Sequence, residues 1–275
     1  ARFPRSLRKR SLLSAQPQRW LGAGGKPTTD AEYAGELTLS PSQFERALAC
    51  PLRWFLTTIG ADGPSNAAAS LGTLIHAVAE EHPHGTPEEL TEALEARIEE
   101  LGYNLDTWAG RVADRHARDI VNNLASYLEG IPGPVEVEQT VSAQVEGVTI
   151  RGRMDRLEHV DEGVRVTDLK TGKSGYSAKT VPDNPQLAAY QMALLASGER
   201  VAGARIALLG DDKLKYFDQP RLEGQALEDW HDKLRSVAVD ARGPYFEARP
   251  SAEACRYCSF DRLCPARERG RKVVE

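Results

Sequence analysis

No apolar run in the chain approaches the roughly 18 residues that a membrane-spanning helix requires, and the N-terminus lacks the apolar core of a secretory signal. A cytoplasmic location is therefore the expectation. Global positive charge is missing too: the formal net charge is −5, so no chain-wide basic field advertises nucleic acid. Cysteines are scarce, four in 275 residues, and without an export signal they make a poor disulfide framework. A nucleotide-binding loop is absent as well. Thr171-Gly172-Lys173-Ser174 looks like the tail of one, but the glycine required five residues before Gly172 is replaced by Thr167.

What is present, 41% hydrophobic and 27% charged residues, suits one large or two small globular domains with an ample core. The charge is unevenly spread. Seven basic residues precede the first acid, Asp30, and the segment after Cys255 is basic again, so both ends are positive around an acidic middle. Residues 1–36, rich in Arg, Pro, Gly and Ser, read as a basic arm or linker, and residues 37–275 as the ordered domain.

The domain opens on a helix start, with Ser40 as N-cap, Pro41 in the first turn and Gln43 closing a capping box. A second helix is expected over about 67–81, with His76 on its apolar face. A lone histidine there is ordinarily a core residue. Residues 86–130 read as two or more helices whose charges form wet faces. Strands follow at about 135–145, 147–159 and 164–170, the last two joined by a turn at Asp161-Glu162-Gly163. Antiparallel pairing across that turn brings Asp155 and Asp168 opposite each other within about one residue. Asp168 and Lys170 share a strand face with Val164 and Val166. Two carboxylates, the Leu169 carbonyl and a lysine so placed are what a hard cation such as Mg²⁺ and a water nucleophile call for. Glu138 is a further acid, on the preceding strand. A helix over 185–198 sets Gln186 and Tyr190 four apart on one face, and a second hairpin (201–209, 213–218) and a closing helix (222–242) complete an α/β sandwich around a mixed sheet.

Cys50 stands alone, and Cys255, Cys258 and Cys264 follow as C-x2-C-x5-C. Four thiolates could hold zinc or [4Fe-4S], and spacing does not separate them.

Gly152-x-x-Asp155-Arg156 followed by Asp168-Leu169-Lys170-Thr171-Gly172 resembles the PD-(D/E)XK nuclease superfamily, specifically its RecB/AddB-like exonuclease branch. Gly72-x-x-x-His76, Gln186-x-x-x-Tyr190 and the cysteine pattern, with Cys50-Pro51 and Cys264-Pro265, occur in that branch's order over about residues 37–270. The resemblance implies a restriction-endonuclease-like core and a Mg²⁺- or Mn²⁺-dependent deoxyribonuclease. It implies that His76 joins Asp155, Asp168 and the Leu169 carbonyl as metal ligands, and that Lys170 positions the water. Gln186 and Tyr190 would contact DNA phosphate and fix the lysine. A [4Fe-4S] cluster on Cys50, Cys255, Cys258 and Cys264 would staple the two ends of the domain together, with Trp54, Tyr257 or Phe260 shielding it or stacking on bases. The partners implied are DNA strands or ends and a helicase, separate or fused, as in AdnAB-type helicase-nucleases.

Overall fold

In the computed structural model the described residues are 30–61, 71–131, 133–173, 175–256 and 258–268. Most of the proposed basic arm, the first residues of the expected second helix, Tyr257 and the extreme C-terminus lie outside them. Residues 30–36 run as exposed coil into β1 (Leu37–Leu39), which leads to α1 (Pro41–Ala49), α2 (Pro51–Thr58), α3 (Leu71–Glu81), α4 (Pro87–Glu95) and α5 (Trp108–Glu129). Three long strands follow, β2 (Val135–Val145), β3 (Val148–Val160) and β4 (Gly163–Lys170), then α6 (Pro185–Ala196), β5 (Val201–Leu208), β6 (Lys215–Pro220), α7 (Gly224–Ala241) and the short α8 (Ala252–Cys255).

The expected capping box forms at α1: Gln43 N–H donates to Ser40 Oγ at 3.1 Å and the Gln43 side chain accepts from Ser40 N–H at 2.9 Å. The helix does not run through Cys50. Pro51 lacks an N–H to continue the ladder and disfavours helical backbone before it, so Cys50 is extended (φ −164°, ψ 102°) and α2 starts afresh.

Six strands form one mixed sheet. β2 and β3 pair antiparallel along their length across a tight turn in which Glu146 (φ 50°) and Gly147 (φ 73°) are both left-handed, the conformation of a two-residue hairpin loop. On its other edge β3 is shared. Its first residues pair parallel with β1 and its last, Arg156 to Val160, antiparallel with β4, so part of that edge between them is bare. Asp155 stands in this gap. The β3–β4 turn is one residue tighter than expected, with Val160 opposite Gly163. Gly163 is needed there: its φ is 135°, and a Cβ would lie 1.8 Å from the Arg200 carbonyl oxygen. The crossover through α6 makes β4 and β5 parallel, and β6 returns antiparallel to β5.

Helices cover both faces. α1, α6 and α7 close one core around Phe44, Ile150, Val166, Leu187 and Leu234. The other core holds α3, α4 and α5 through Ile75, Leu90, Leu94, Ile120 and Leu124, with Leu169 and Ala207 from the sheet. β4 therefore alternates as expected, Val164 and Val166 entering one core and Leu169 the other. Among the described residues no helix is long and apolar enough to cross a membrane.

Candidate active site

The ladder between β3 and β4 ends at Arg156–Thr167. The next residues along the two strands are Asp155 and Asp168, which the antiparallel register sets side by side, as expected from the turn. Because the ladder has stopped, Leu169 N–H is free to donate to Asp155 Oδ2 at 2.8 Å. In an extended strand a residue's N–H and C=O point to the same side, so the Leu169 carbonyl is directed into the same gap.

α3 delivers His76 to this point from the other side. Its Nδ1 lies 3.3 Å from Asp155 Oδ1, and this hydrogen bond is the main reason its pKa is raised, against the opposing effect of burial. Glu138 approaches from β2. It faces Asp155 in the register but drops out of the ladder with φ 54°, a left-handed backbone that an L-residue adopts at an energetic penalty. Its carboxyl is raised by burial, which the Arg153 guanidinium paired with it opposes. Ligand atoms of His76, Glu138 and Asp155 all lie within 4.8 Å of one another. They line a cleft of about 520 Å³ with Gly72, Thr73, Ala77, Glu80 and Arg153.

Asp168 is 5% exposed. Its Oδ1 accepts from Gln186 Nε2 at 2.8 Å, while Lys170 Nζ lies 2.7 Å from Oδ2, an ion pair whose angles leave that buried oxygen without an aligned hydrogen-bond donor. Burial raises the Asp168 carboxyl and the lysine opposes it. Burial would lower the Lys170 ammonium, but Asp168 outweighs it and the net shift is upward. Gln186 also accepts from Lys170 Nζ at 3.2 Å, so one amide holds both groups. Tyr190, four residues on, is buried, and its hydroxyl donates to the Arg153 carbonyl at 2.7 Å. That bond braces β3 beside Asp155.

Two contributors gave no legible signal. Glu45 of α1 and Tyr176, raised chiefly by burial, sit in the electrostatic field of Lys170 and Asp168. Nothing in their local sequence marks them.

The donor set fits a hard divalent cation: one imidazole, converging carboxylates, a strand carbonyl and an under-satisfied buried carboxylate oxygen. The cysteines are placed differently. Cys50, in the break between α1 and α2, has its Sγ 4.0 Å from the Glu247 carbonyl oxygen, and Arg53 Nη1 donates to the Ala254 carbonyl at 2.8 Å. These contacts stitch Cys50's segment to the residue before Cys255. All four thiols are free and partly buried, and among the described residues none belongs to a ligand group within 4.8 Å. Trp54 and Phe260 are buried, which places them in packing rather than in base stacking.

The family model described as the PD-(D/E)XK nuclease superfamily matches residues 38–265. Gene 69 protein of Mycobacterium phage D29 is 24% identical over 271 residues, spanning 82% of this chain and 96% of that protein. Among solved structures, SSO0001 aligns with a TM-score of 0.44 at 18% identity (85% of this chain, 88% of that one). A candidate exonuclease from Eubacterium rectale aligns with a TM-score of 0.46 at 11% identity (82% and 88%). With the family model spanning most of the chain and its acidic strand pair and lysine gathered at one end of the sheet, the protein belongs to the PD-(D/E)XK nuclease superfamily.

Proposed function

We propose that the chain is a Mg²⁺- or Mn²⁺-dependent DNA exonuclease of the RecB/AddB-like branch, acting on strands or ends in DNA repair. The observation that carries this reading is the convergence of Asp155, Asp168 and Lys170 from two adjacent strands on the histidine of α3. His76, Asp155, Asp168 and the Leu169 carbonyl are the ligands, with Glu138 as a further acid. A bound divalent cation would neutralise phosphate charge and lower the pKa of an attacking water. The chain's own groups then have distinct tasks. Lys170, held by Asp168 and Gln186, is aimed to orient that water and to offset charge building on the phosphate. Gln186 keeps acid and lysine in register, and Tyr190 fixes the backbone beside Asp155.

The same reading places a [4Fe-4S] cluster on Cys50, Cys255, Cys258 and Cys264. The stitching of Cys50's segment to Ala254 supports it. Spacing alone does not separate the cluster from zinc; the preference for it rests on the resemblance of the cysteine pattern to that branch. A cytoplasmic setting and a helicase partner, separate or fused, belong to this proposal.

The test is anaerobic purification with a visible spectrum, followed by incubation with labelled single-stranded DNA and Mg²⁺ or Mn²⁺, beside Asp168→Ala. Brown protein that degrades DNA from ends only with Asp168 present is expected. Colourless protein with stoichiometric zinc would overturn the cluster, and cutting that survives Asp168→Ala or EDTA would overturn the nuclease site.

A further inference from the structure

Arg156 belongs to the sequence motif that carries Asp155, yet it touches nothing in the cleft. It is 1% exposed and lies on the opposite face of the sheet, its guanidinium 5.4 Å from the centre of the Tyr127 ring. Nη2 donates to the Pro83 carbonyl at 2.7 Å and Nη1 to the Ala79 carbonyl at 3.5 Å. Both acceptors belong to the end of α3 and the turn after it.

Ala79 would ordinarily be bonded by the N–H of the fourth residue on, but that residue is Pro83, which has none. The last carbonyls of a helix need outside donors and favour a positive group. The preceding carbonyl, that of Val78, is bonded by His82 N–H at 3.0 Å. Arg156 therefore takes over where proline has removed the donor.

The energetics argue that this guanidinium is not kept for stability alone. The nearby buried carboxylate, Glu158, is already satisfied by Thr167 Oγ1 at 2.6 Å, by the Tyr127 hydroxyl and by Arg165 at 2.6 and 2.8 Å. Arg156 Nε has no partner at all. A buried cation with two hydrogen bonds from five donors is an expensive way to fill space. What it provides is direction. One residue, adjacent in sequence to Asp155, grips the helix three residues beyond His76.

We propose that Arg156 is a positioning residue of the metal site: it fastens the C-terminal end of α3 to β3 and so holds His76 at ligand distance from Asp155. The inference rests on the reading above that these two residues bind metal. It assigns a task to the arginine of the Gly152–Arg156 motif without placing it near substrate.

The experiment measures Mn²⁺ binding to the metal-depleted full chain, by the loss of the free-ion electron paramagnetic resonance signal, with thermal melts in EDTA as the measure of stability. Variants are Arg156→Met, Arg156→Lys, His76→Ala, the Arg156→Met/His76→Ala pair, and Tyr127→Phe. The last loses a buried hydrogen bond of the same network but leaves α3 untouched. Removing a group that orients a metal ligand weakens affinity by about 10- to 100-fold, so Arg156→Met is expected to bind Mn²⁺ about tenfold more weakly. Arg156→Lys, which can satisfy one carbonyl, should fall between it and the native chain. Tyr127→Phe should melt lower with unchanged Mn²⁺ binding. In the His76→Ala background Arg156→Met should have no further effect. Arg156→Met that melts lower but binds Mn²⁺ like the native chain overturns the proposal, as does a loss of equal size with and without His76. If Arg156→Met does not fold, Arg156→Lys against Tyr127→Phe decides the question by the same criterion. His76→Ala with native Mn²⁺ binding would instead overturn the ligand assignment, and this inference with it.

Discussion

Lys170→Met in the metal-free protein isolates the ion pair at the centre of the site. The substitution keeps the aliphatic bulk and removes the ammonium 2.7 Å from Asp168 Oδ2. It leaves a carboxylate whose side chain is 6% exposed with Gln186 Nε2 as its remaining donor, at 2.8 Å. Stranding one partner of a buried pair costs about 3–5 kcal/mol. Because the Lys170 side chain is 27% exposed, solvent already screens part of the pair, and about 2–3 kcal/mol is the better expectation. For a chain of this size that is a fall in Tm of about 5–10 °C. The sign with pH follows from Asp168, whose pKa burial raises and which loses the opposing lysine. The deficit is largest at neutral pH, narrows as pH falls through the raised folded value and vanishes only below the unfolded carboxyl's value of about 3.9, where the group is protonated in both states. Adding Asp168→Asn removes the stranded charge, so the double variant should regain the native melting temperature or exceed it. Both variants should lose at least about 100-fold in DNA degradation. Urea melts in EDTA at several pH values, with release of labelled nucleotides in Mg²⁺, measure both effects. The reasoning is refuted if Lys170→Met melts with the native protein and the double variant is no more stable than the single.

Three shorter expectations accompany it. His76 is held protonated above its usual range by Asp155, so the stability this pair lends the metal-free protein is full below about pH 6.5 and fades as pH rises through the raised pKa. A cation must displace that same proton, so Mn²⁺ affinity should climb over this window in calorimetric titrations; a flat profile, or one that survives His76→Gln, would contradict the pairing. Gln186→Leu removes the amide that joins Asp168 to Lys170 and should lower turnover about 10- to 100-fold in protein whose circular dichroism is unchanged; native turnover would remove Gln186 from the site. Gly152→Ala places a Cβ 2.6 Å from Pro41 Cδ and 3.1 Å from Tyr190 Cε1, an overpacking of about 1–3 kcal/mol that chemical denaturation should detect; native stability would contradict the close approach.

Part of this site was legible because it is local. A tight turn and the two-residue period of strands suffice to set Asp155 against Asp168 and to put Lys170 on the face of Val166, and the 3.6-residue period aligns Gln186 with Tyr190. Ser40, Pro41 and Gln43 start α1 through contacts within three residues. Other features had no such signature. β1 is three residues long, too short for a pattern, and exists because β3 offers it an edge. That β4 and β5 run parallel follows from how α6 packs, not from either strand's composition. His76 was marked by a motif, but the end of the helix that carries it is tied to β3 by an arginine 80 residues away in sequence from that histidine. Glu138's left-handed backbone and the turning of Tyr190 to the Arg153 carbonyl likewise arise where strands and helices meet. The sequence by itself therefore determined which groups share a strand or helix face, since periodicity, capping and turn chemistry act over a few residues. Which faces meet, and how far apart their charged groups are held, was decided only by tertiary structure, because burial and long-range hydrogen bonds exist only once separate elements have packed.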